Sequence, residues 1–429
     1  MLQTLRNAWK IEELRKKILF TLVIILLYRL GNAIPVPDVN IALLNAYFAQ
    51  QQSTILGLLD VMSGGAFSNA TIFALSIQPY INASIIIQLL CIAIPSLQRL
   101  SKEGGEEGRK KIASITRYAT VAIGLIQGFA YYMLIMNNNM LNADAQGIWS
   151  AIVIILTFTS GSALIMWLGE QITEFGIGNG ISMILFASII SRLPTSLITT
   201  VRNITAGNLQ WWLALLMLIG AIAMIVLIVY VNDAERRIPV QYAKRVVGRK
   251  MYGGQSTHLP MKVNMSGVMP IIFASTLCSL PGLIFRFINL DAASHPALYA
   301  FFSVFNYNSV LYLIVYVLLI VAFNYFYVAI QYNPVDIANQ LRKNNGTIPG
   351  IRPGKPTSDF ITKTLSKITL IGAIFLAIVA GFPIILGNIT GTSIQLGGTT
   401  LLIVVGVALE TGRSLEGYMT ARYHKGFLE

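Results

Sequence analysis

The chain has 429 residues, of which 55% are hydrophobic and only 11% are charged, and its net charge is +13. A soluble domain of this length is far less apolar, so the composition excludes a soluble protein and indicates one that crosses a membrane several times. The positive charge suggests anionic partners, either lipid head groups or nucleic acid, although charges that orient membrane spans explain most of it.

Ten apolar stretches follow one another along the chain, and most have the ~20 residues that a helix needs to cross hydrocarbon. The predicted spans are residues 18–34, 73–94, 116–136, 149–169, 180–198, 211–231, 265–286, 309–332, 367–387 and 398–412. Of the 31 Lys and Arg residues, all but Arg29, Arg192, Arg202 and Arg286 fall on one side of the membrane. By the positive-inside rule that side is cytoplasmic, so both termini are predicted to be cytoplasmic.

The first apolar stretch imitates a signal peptide, because a basic segment that ends at Lys17 precedes it. The stretch continues into Arg29 without a small-x-small cleavage site and stops at Pro35 and Pro37. Proline cannot continue a helix, so these two residues mark its exit. We interpret it as a retained first span.

A short apolar segment, residues 55–67, lies between the first two spans and is broken by Gly64 and Gly65. It is too short to cross, so its length predicts a re-entrant half-helix. Irregular backbone at membrane depth requires burial in protein or a water-filled cavity. An interfacial helix on the outer surface agrees equally well with the length and composition.

Five spans precede residues 199–210 and five follow, so the two halves enter the membrane from opposite sides. This arrangement is typical of an inverted repeat. Sequence similarity between the halves is too weak to establish a repeat, so the interpretation depends on the span count. We predict an N-terminal half (1–198), an external hinge connection (199–210) and a C-terminal half (211–429).

Two connections on the basic side, residues 232–264 and 333–366, are unusually long. Connections of this length are usually functional or disordered. In the second, Arg352 stands between the pairs Pro349-Gly350 and Pro353-Gly354, which favour tight turns and a stiff tip. Loops collect Pro, Gly and Arg in any case, so this composition alone favours a plain loop.

The sequence contains no recognisable catalytic, cofactor or metal motif. Cys91 and Cys278 both fall inside predicted spans, and the three histidines are scattered, so no metal-ligand spacing or disulfide framework is present. The glycine-rich run at residues 176–180 begins a span and does not follow a strand, so it is not a nucleotide fingerprint. We therefore expect no enzyme activity.

Six segments carry a family resemblance. They are GGAF at 64–67, IQPYINASIIIQLL at 77–90, GIGNGIS at 176–182, QSTHLPMKVN at 255–264, PGIRPG at 349–354 and GGTTLLIVV at 397–405. In collinear order along essentially the whole chain, they resemble the SecY family of bacterial protein-conducting channels. The resemblance implies an all-α polytopic membrane protein. Ten transmembrane helices, in two inverted five-helix halves, would form a clamshell around an hourglass pore, with a re-entrant plug helix.

Position matching to this family implies a constriction ring and a plug. The ring would be Ile77, Ile81, Ile181, Leu185, Ile272 and Ile403. The plug would comprise Leu58, Leu59, Asp60, Val61, Met62, Ser63, Gly64 and Gly65. Periodicity agrees with the ring, because Ile77, Ile81, Ser84 and Gln88 fall on one helix face that turns polar toward the cytoplasm. Aliphatic residues at helical spacing are mostly lipid-facing or packed, so the family match selects this interpretation.

The resemblance also implies a lateral gate among the second, third, seventh and eighth spans. Polar residues at this gate would be Asn82, Gln88, Ser275, Thr276 and Asn324. Docking of a motor or a ribosome would use basic residues of the two long connections. These are Arg236, Arg237, Lys244, Arg245, Arg249, Lys250, Arg352 and Lys355.

The function implied is passage of unfolded secretory polypeptides across the bacterial plasma membrane, with sideways release of membrane helices into the lipid bilayer. The driving partner would be the SecA ATPase or a translating ribosome. SecE and SecG would be accessory subunits, and signal sequences and nascent polypeptides the ligands. The alternative is an inverted-repeat secondary transporter, which would keep ionisable groups near the midplane. Here Asp60 lies in the half-segment, while Arg29, Arg286 and Glu410 lie near span ends.

Overall fold

The computed structural model describes residues 2–50, 55–102, 104–142, 147–207, 210–242, 245–247, 250–252, 256–288, 309–390 and 398–425. The helices are α1 (Leu2–Lys10), α2 (Glu12–Gly31), α3 (Ile41–Gln50), α4 (Ile55–Met62), α5 (Gln78–Ala93), α6 (Pro95–Lys102), α7 (Gly105–Asn137), α8 (Ile148–Phe175), α9 (Gly180–Thr205), α10 (Trp211–Asp233), α11 (Met269–Ile288), α12 (Val310–Gln331), α13 (Pro334–Lys343), α14 (Lys355–Thr390) and α15 (Gly398–Lys425). The strands are β1 (Glu235–Tyr242), β2 (Arg245–Val247), β3 (Lys250–Tyr252), β4 (Ser256–Lys262) and β5 (Gly346–Thr347).

Each of the ten predicted spans coincides with a helix: α2, α5, α7 to α12, α14 and α15. Among the described residues, seven helical segments are long and apolar enough to cross a membrane, and α5 with α6, bent by 107°, would make an eighth. Of the other two, α2 begins within the basic segment before Lys17, and α11 contributes a shorter apolar stretch, Met269–Cys278. The chain is therefore a multi-pass membrane protein.

Several boundaries differ from the predicted ones, and two of them change a connection between spans. Helix α5 begins at Gln78, five residues after the predicted start, because residues 63–77 form a series of turns in which Ala70 and Ser76 have positive φ. Pro79 then stands in the first turn of α5, where a missing N–H costs no hydrogen bond. Helix α9 continues to Thr205, which shortens the connection predicted at residues 199–210.

The long basic connections contain strands that the sequence did not predict. Strand β1 pairs antiparallel with β4 over the length of both and with β5 at its end, so one sheet joins the two connections. Ile238 and Val240 of β1 alternate with exposed residues and are buried in a shared apolar core with Ile348 and Leu365. The two connections therefore form one folded unit on this side of the membrane.

The centre of the molecule is one aliphatic cluster to which both halves contribute. Ile165 and Ile184 come from the first half, and Ile403 and Val407 of α15 come from the second. Separate apolar clusters fill each half, around Phe158 in the first and around Tyr316 in the second. The central cluster is the larger of two in the described structure that span both halves, the other being Ala8, Leu14 and Ile177 with Leu415.

Close packing at Gly161 of α8 gives a testable prediction about stability. A Cβ atom there would lie 2.0 Å from the carbonyl oxygen of Ile72, which is backbone and cannot rotate away. We expect Gly161→Ala to lower the free energy of unfolding by about 1–3 kcal/mol, because an overpacked site forces backbone shifts. Gly417→Ala on α15 is the matched control, since nothing lies within 4 Å of its added Cβ. Thermal unfolding midpoints that agree for the two variants would contradict this expectation.

Candidate functional site

The six predicted ring residues all belong to the central aliphatic cluster. Ile77, at the start of α5, is fully buried, and Ile81, Leu185 and Ile403 are at most 7% exposed. Ile181 of α9 and Ile272 of α11 are partly buried and pack against the same cluster. Side chains from four helices thus converge at one apolar site, the predicted constriction.

A cavity of about 1190 Å³ opens on one side of this constriction. Leu185, Ile272 and Ile403 line its apolar end. Its other walls come from β4, the end of α12, α13 and the middle of α15, and they include polar side chains such as Gln331 and Glu410 among apolar ones. Because β4 and α13 belong to the two basic connections, the cavity lies on the basic side of the constriction.

The short segment between the first two spans packs against the constriction from within the protein. Helix α4 covers Ile55–Met62, and Ser63, Gly64 and Gly65 form the turn that follows, with positive φ at both glycines. Val61, Met62 and Ser63 are buried, and Met62 belongs to the same cluster as Ile77 and Ile81. The side chain of Leu58 lies outside the described residues, and Leu59 packs at the edge of the first half's core. The segment is therefore a re-entrant helix buried in protein. An interfacial helix on the outer surface would not be buried in this way.

Aromatic side chains hold the turns that follow α4. Tyr28 of α2 stacks on Phe73, with ring centroids 5.8 Å apart, and Tyr131 of α7 stacks on Phe67 at 4.3 Å. The Tyr131 hydroxyl donates to the carbonyl oxygen of Phe67. These contacts join residues far apart in sequence, so periodicity gave no sign of them.

The predicted gate residues occupy different surroundings. On α5, Asn82 is half-buried, its Oδ1 has no partner among the described residues, and Gln88 is exposed. On α11, Ser275 donates to the carbonyl oxygen of Ile272 in its own helix at 2.9 Å, and Thr276 is half-buried. Helices α7 and α11 are in contact, which brings the third and seventh spans together.

Asn324 of α12 lies apart from the other four. It is 2% exposed, accepts a hydrogen bond from Ser266 Oγ and donates to the carbonyl oxygen of Thr369 on α14 at 2.8 Å. Both partners belong to the second half. In this structure its amide therefore joins helices within that half.

The predicted docking residues that the structure describes are exposed. Arg236 and Arg237 project from β1, where Arg237 Nε donates to Glu235 Oε1 at 2.6 Å, and Arg352 and Lys355 lie at the tip of the second connection. Lys244 and Arg249 lie outside the described residues, as do the side chains of Arg245 in β2 and Lys250 in β3.

The tip that carries Arg352 is firmly built. Gly350 and Gly354 have φ of 81° and 104°, as tight turns require, and Ile351 packs against the core of the folded unit. The Thr357 hydroxyl donates to the Arg352 carbonyl oxygen at 2.8 Å. The guanidinium is thereby presented from an ordered backbone.

A helical membrane protein whose halves meet at an apolar cluster, with a cavity on one side and a buried half-helix against it, has an architecture that suits a membrane channel. Residues 71–412 match the family model for SecY. The chain is 42% identical to the protein translocase subunit SecY of Bacillus licheniformis and 39% identical to that of Aquifex aeolicus, over the full length of each pair. The chain belongs to the SecY family, as its motifs predicted.

Solved structures agree on the fold. A protein-conducting channel matches with a TM-score of 0.67 at 17% identity, and Sec61 from a canine ribosome-channel complex matches with 0.63 at 16% identity. Each comparison covers 96% of this chain and 94% of the other. The predicted fold and the function of a protein-conducting channel are confirmed, and the comparisons give no support to the secondary transporter.

Proposed function

We propose that this protein passes unfolded secretory polypeptides across the bacterial plasma membrane and releases membrane helices sideways into lipid. The observation that carries the proposal is the convergence of Ile77, Ile81, Leu185 and Ile403 between a cavity on the basic side and a buried half-helix. The 27 basic residues on one side support an orientation with that cavity and both termini in the cytoplasm.

The ring is proposed to act by dewetting. A narrow aliphatic collar holds no stable column of water, so an ion that enters it meets a dehydration barrier. Aliphatic side chains can change rotamer to fit around a polypeptide, and they impose no hydrogen-bond pattern on its sequence. These properties suit a conduit for chains of many sequences that must exclude small ions.

Sideways release is proposed to occur at the seam where α7 contacts α11, between the second and third spans and the seventh and eighth. Among the described residues, the Oδ1 of Asn82 on α5 has no hydrogen-bond partner. An unpaired buried amide oxygen costs free energy, so separation of the helices would remove an unfavourable contact. The two halves, 1–198 and 211–429, would then move about the external connection.

Gln88 gives a prediction for this seam. Its exposed amide is a polar group on the seam helix α5, and an apolar replacement would favour the docking of an apolar signal helix there. We expect Gln88→Leu to raise export of precursors with weakened signal sequences by a few fold, since ~0.6 kcal/mol, the size of one polar contact between membrane helices, shifts an equilibrium about threefold. Gln210→Leu, an equally exposed change before α10, is the control. Unchanged export of such precursors in Gln88→Leu would remove Gln88 from the gate.

Energy for transport is proposed to come from a partner that docks on the basic folded unit, either the SecA ATPase or a translating ribosome. Two structural neighbours were solved in ribosome complexes, the canine Sec61 channel and the yeast Ssh1 complex. Arg and Lys side chains would contact rRNA phosphates, so ribosome affinity would fall steeply with salt. SecE and SecG are the proposed accessory subunits.

The experiment that tests this function is protease protection of an unfolded secretory precursor in liposomes that contain the chain and SecE. We expect protection only when SecA and ATP are both present. Absence of protection, together with gradient-driven uptake of a small solute, would establish a transporter and overturn the proposal.

A further inference from the structure

The half-helix carries one charge, and that charge is paired. Asp60 is the single ionisable residue between positions 55 and 77. Its Oδ2 accepts a hydrogen bond from an Nη2 of Arg192, which lies 132 residues away on α9. The two side chains are 15% and 23% exposed, so the ion pair is largely withdrawn from solvent.

The guanidinium of Arg192 fits the turn after α4 closely. Its Nη2 also lies 3.3 Å from the Ser68 hydroxyl, and the backbone N–H of Ser68 donates to Asp60 Oδ1 at 2.7 Å. A Cβ atom on Gly65 would lie 2.8 Å from Arg192 Cζ. Only glycine, which also has a φ of 89° here, leaves room for the guanidinium against the backbone.

Neighbouring hydrogen bonds attach the same turn to α2 and α9. The Tyr28 hydroxyl lies 2.7 Å from Ser188 Oγ and donates to the carbonyl oxygen of Ser63 at 3.3 Å. These bonds are neutral. Removal of one partner from a withdrawn ion pair leaves an uncompensated charge, which costs more than the loss of a neutral bond. The ion pair is therefore the contact whose loss would most favour release.

We propose that the Asp60–Arg192 ion pair is the latch that holds the half-helix against the constriction in the closed state, a proposal that rests on the channel function above. The latch is built to open, because the Nε of Arg192 is buried without a partner among the described residues. A partly satisfied polar network is less stable than a complete one. Displacement of the half-helix hydrates both charges, which offsets the loss of their attraction.

Labelling of a buried cysteine tests the latch directly. Ala66, beside the latch, is 1% exposed. The full chain would carry Cys91→Ser, Cys278→Ala and Ala66→Cys in lipid nanodiscs with a soluble maleimide. We expect Asp60→Asn and Arg192→Gln each to raise the labelling rate about tenfold, as loss of an ion-pair partner implies. Arg202→Gln, the same change at an exposed site on the same helix, should leave the rate unchanged.

The double variant separates a latch from two independent effects. If both side chains serve one contact, Asp60→Asn with Arg192→Gln should label no faster than either single variant. The proposal would be overturned if the increases in labelling rate multiply in the double variant. It would also be overturned if the single variants label no faster than the protein with Asp60 and Arg192 intact. A cysteine at Ala373, fully buried in the second half, should stay unlabelled throughout. An equal rise there would show that the pair holds the whole fold, which also contradicts a latch.

Failure of the latch is distinguishable from failure of the channel function. Precursor protection in the unmodified protein with unchanged labelling in the variants would reject the latch alone. Absence of precursor protection in the unmodified protein would reject the channel function, whatever the labelling rates.

Discussion

Replacement of Ile81 and Ile403 by serine is expected to make liposomes that contain the closed channel permeable to small ions. The two residues belong to different halves, are 7% and 4% exposed, and lie in the same cluster. Hydroxyl groups at both positions would let water wet the collar, which lowers the dehydration barrier to ions. We expect ion efflux to rise by at least about tenfold, which corresponds to ~1.4 kcal/mol off the barrier. Quenching of an external halide-sensitive dye by entrapped halide as it leaves the liposomes would measure it.

Two controls separate wetting from loss of packing. Valine at both positions keeps the collar apolar while removing one methylene from each side chain, so efflux should stay low. Ile165→Ser places a hydroxyl in a fully buried residue of the same cluster that is not proposed for the ring. If Ile165→Ser leaks as much as the double serine variant, the barrier is the cluster as a whole and the ring assignment is wrong.

Sequence reasoning located the spans because hydropathy is a strong local signal. The apolar helices start and stop where charge and proline intervene, and the run Trp211–Asp233 needs no tertiary information to be recognised. The half-helix at Ile55–Met62 was predictable for the same reason, since its length and paired glycines are local properties.

The folded unit of the basic connections could not be predicted in this way. Strand β1 has only two buried positions, Ile238 and Val240, and Pro239 between them weakens the strand pattern. Its stability comes from pairing with β4 and β5, and β5 lies about a hundred residues further along the chain. A two-residue strand such as Gly346–Thr347 leaves no periodicity to detect.

The latch and the setting of Asn324 depend on contacts that a single sequence does not encode locally. The sequence places Asp60 as a charge in an apolar segment and Arg192 as one of four basic residues on the opposite side of the membrane, but nothing in their spacing pairs them. Opposite charges in otherwise apolar surroundings were the available signal. Asn324 was assigned to the gate by position, whereas its hydrogen bonds to Ser266 and Thr369 place it inside the second half.

Replacement of Arg352 by glutamate is expected to abolish coupling to both proposed partners. The side chain is exposed at a tip fixed by Gly350, Gly354 and the Thr357 hydroxyl, so its charge is presented with little loss of backbone entropy on binding. Reversal of the charge places a carboxylate against rRNA phosphates or the motor surface, where like charges repel. We expect ATP-driven precursor protection and ribosome cosedimentation each to fall more than about tenfold.

Lys363→Glu is the matched control, because Lys363 is exposed on α14, near the tip, and the change in charge is the same. Lys363→Glu should change precursor protection and ribosome cosedimentation by less than about twofold if the position of the charge, and not the net charge, determines binding. Arg352→Lys should retain part of the ribosome binding, since a lysine still neutralises a phosphate but lacks the two-pronged geometry of a guanidinium. Ribosome affinity should fall less steeply with salt in Arg352→Glu, and the slope should be unchanged in Lys363→Glu. Equal loss of protection and cosedimentation in Lys363→Glu would move the docking surface from the tip to the charge of the whole folded unit.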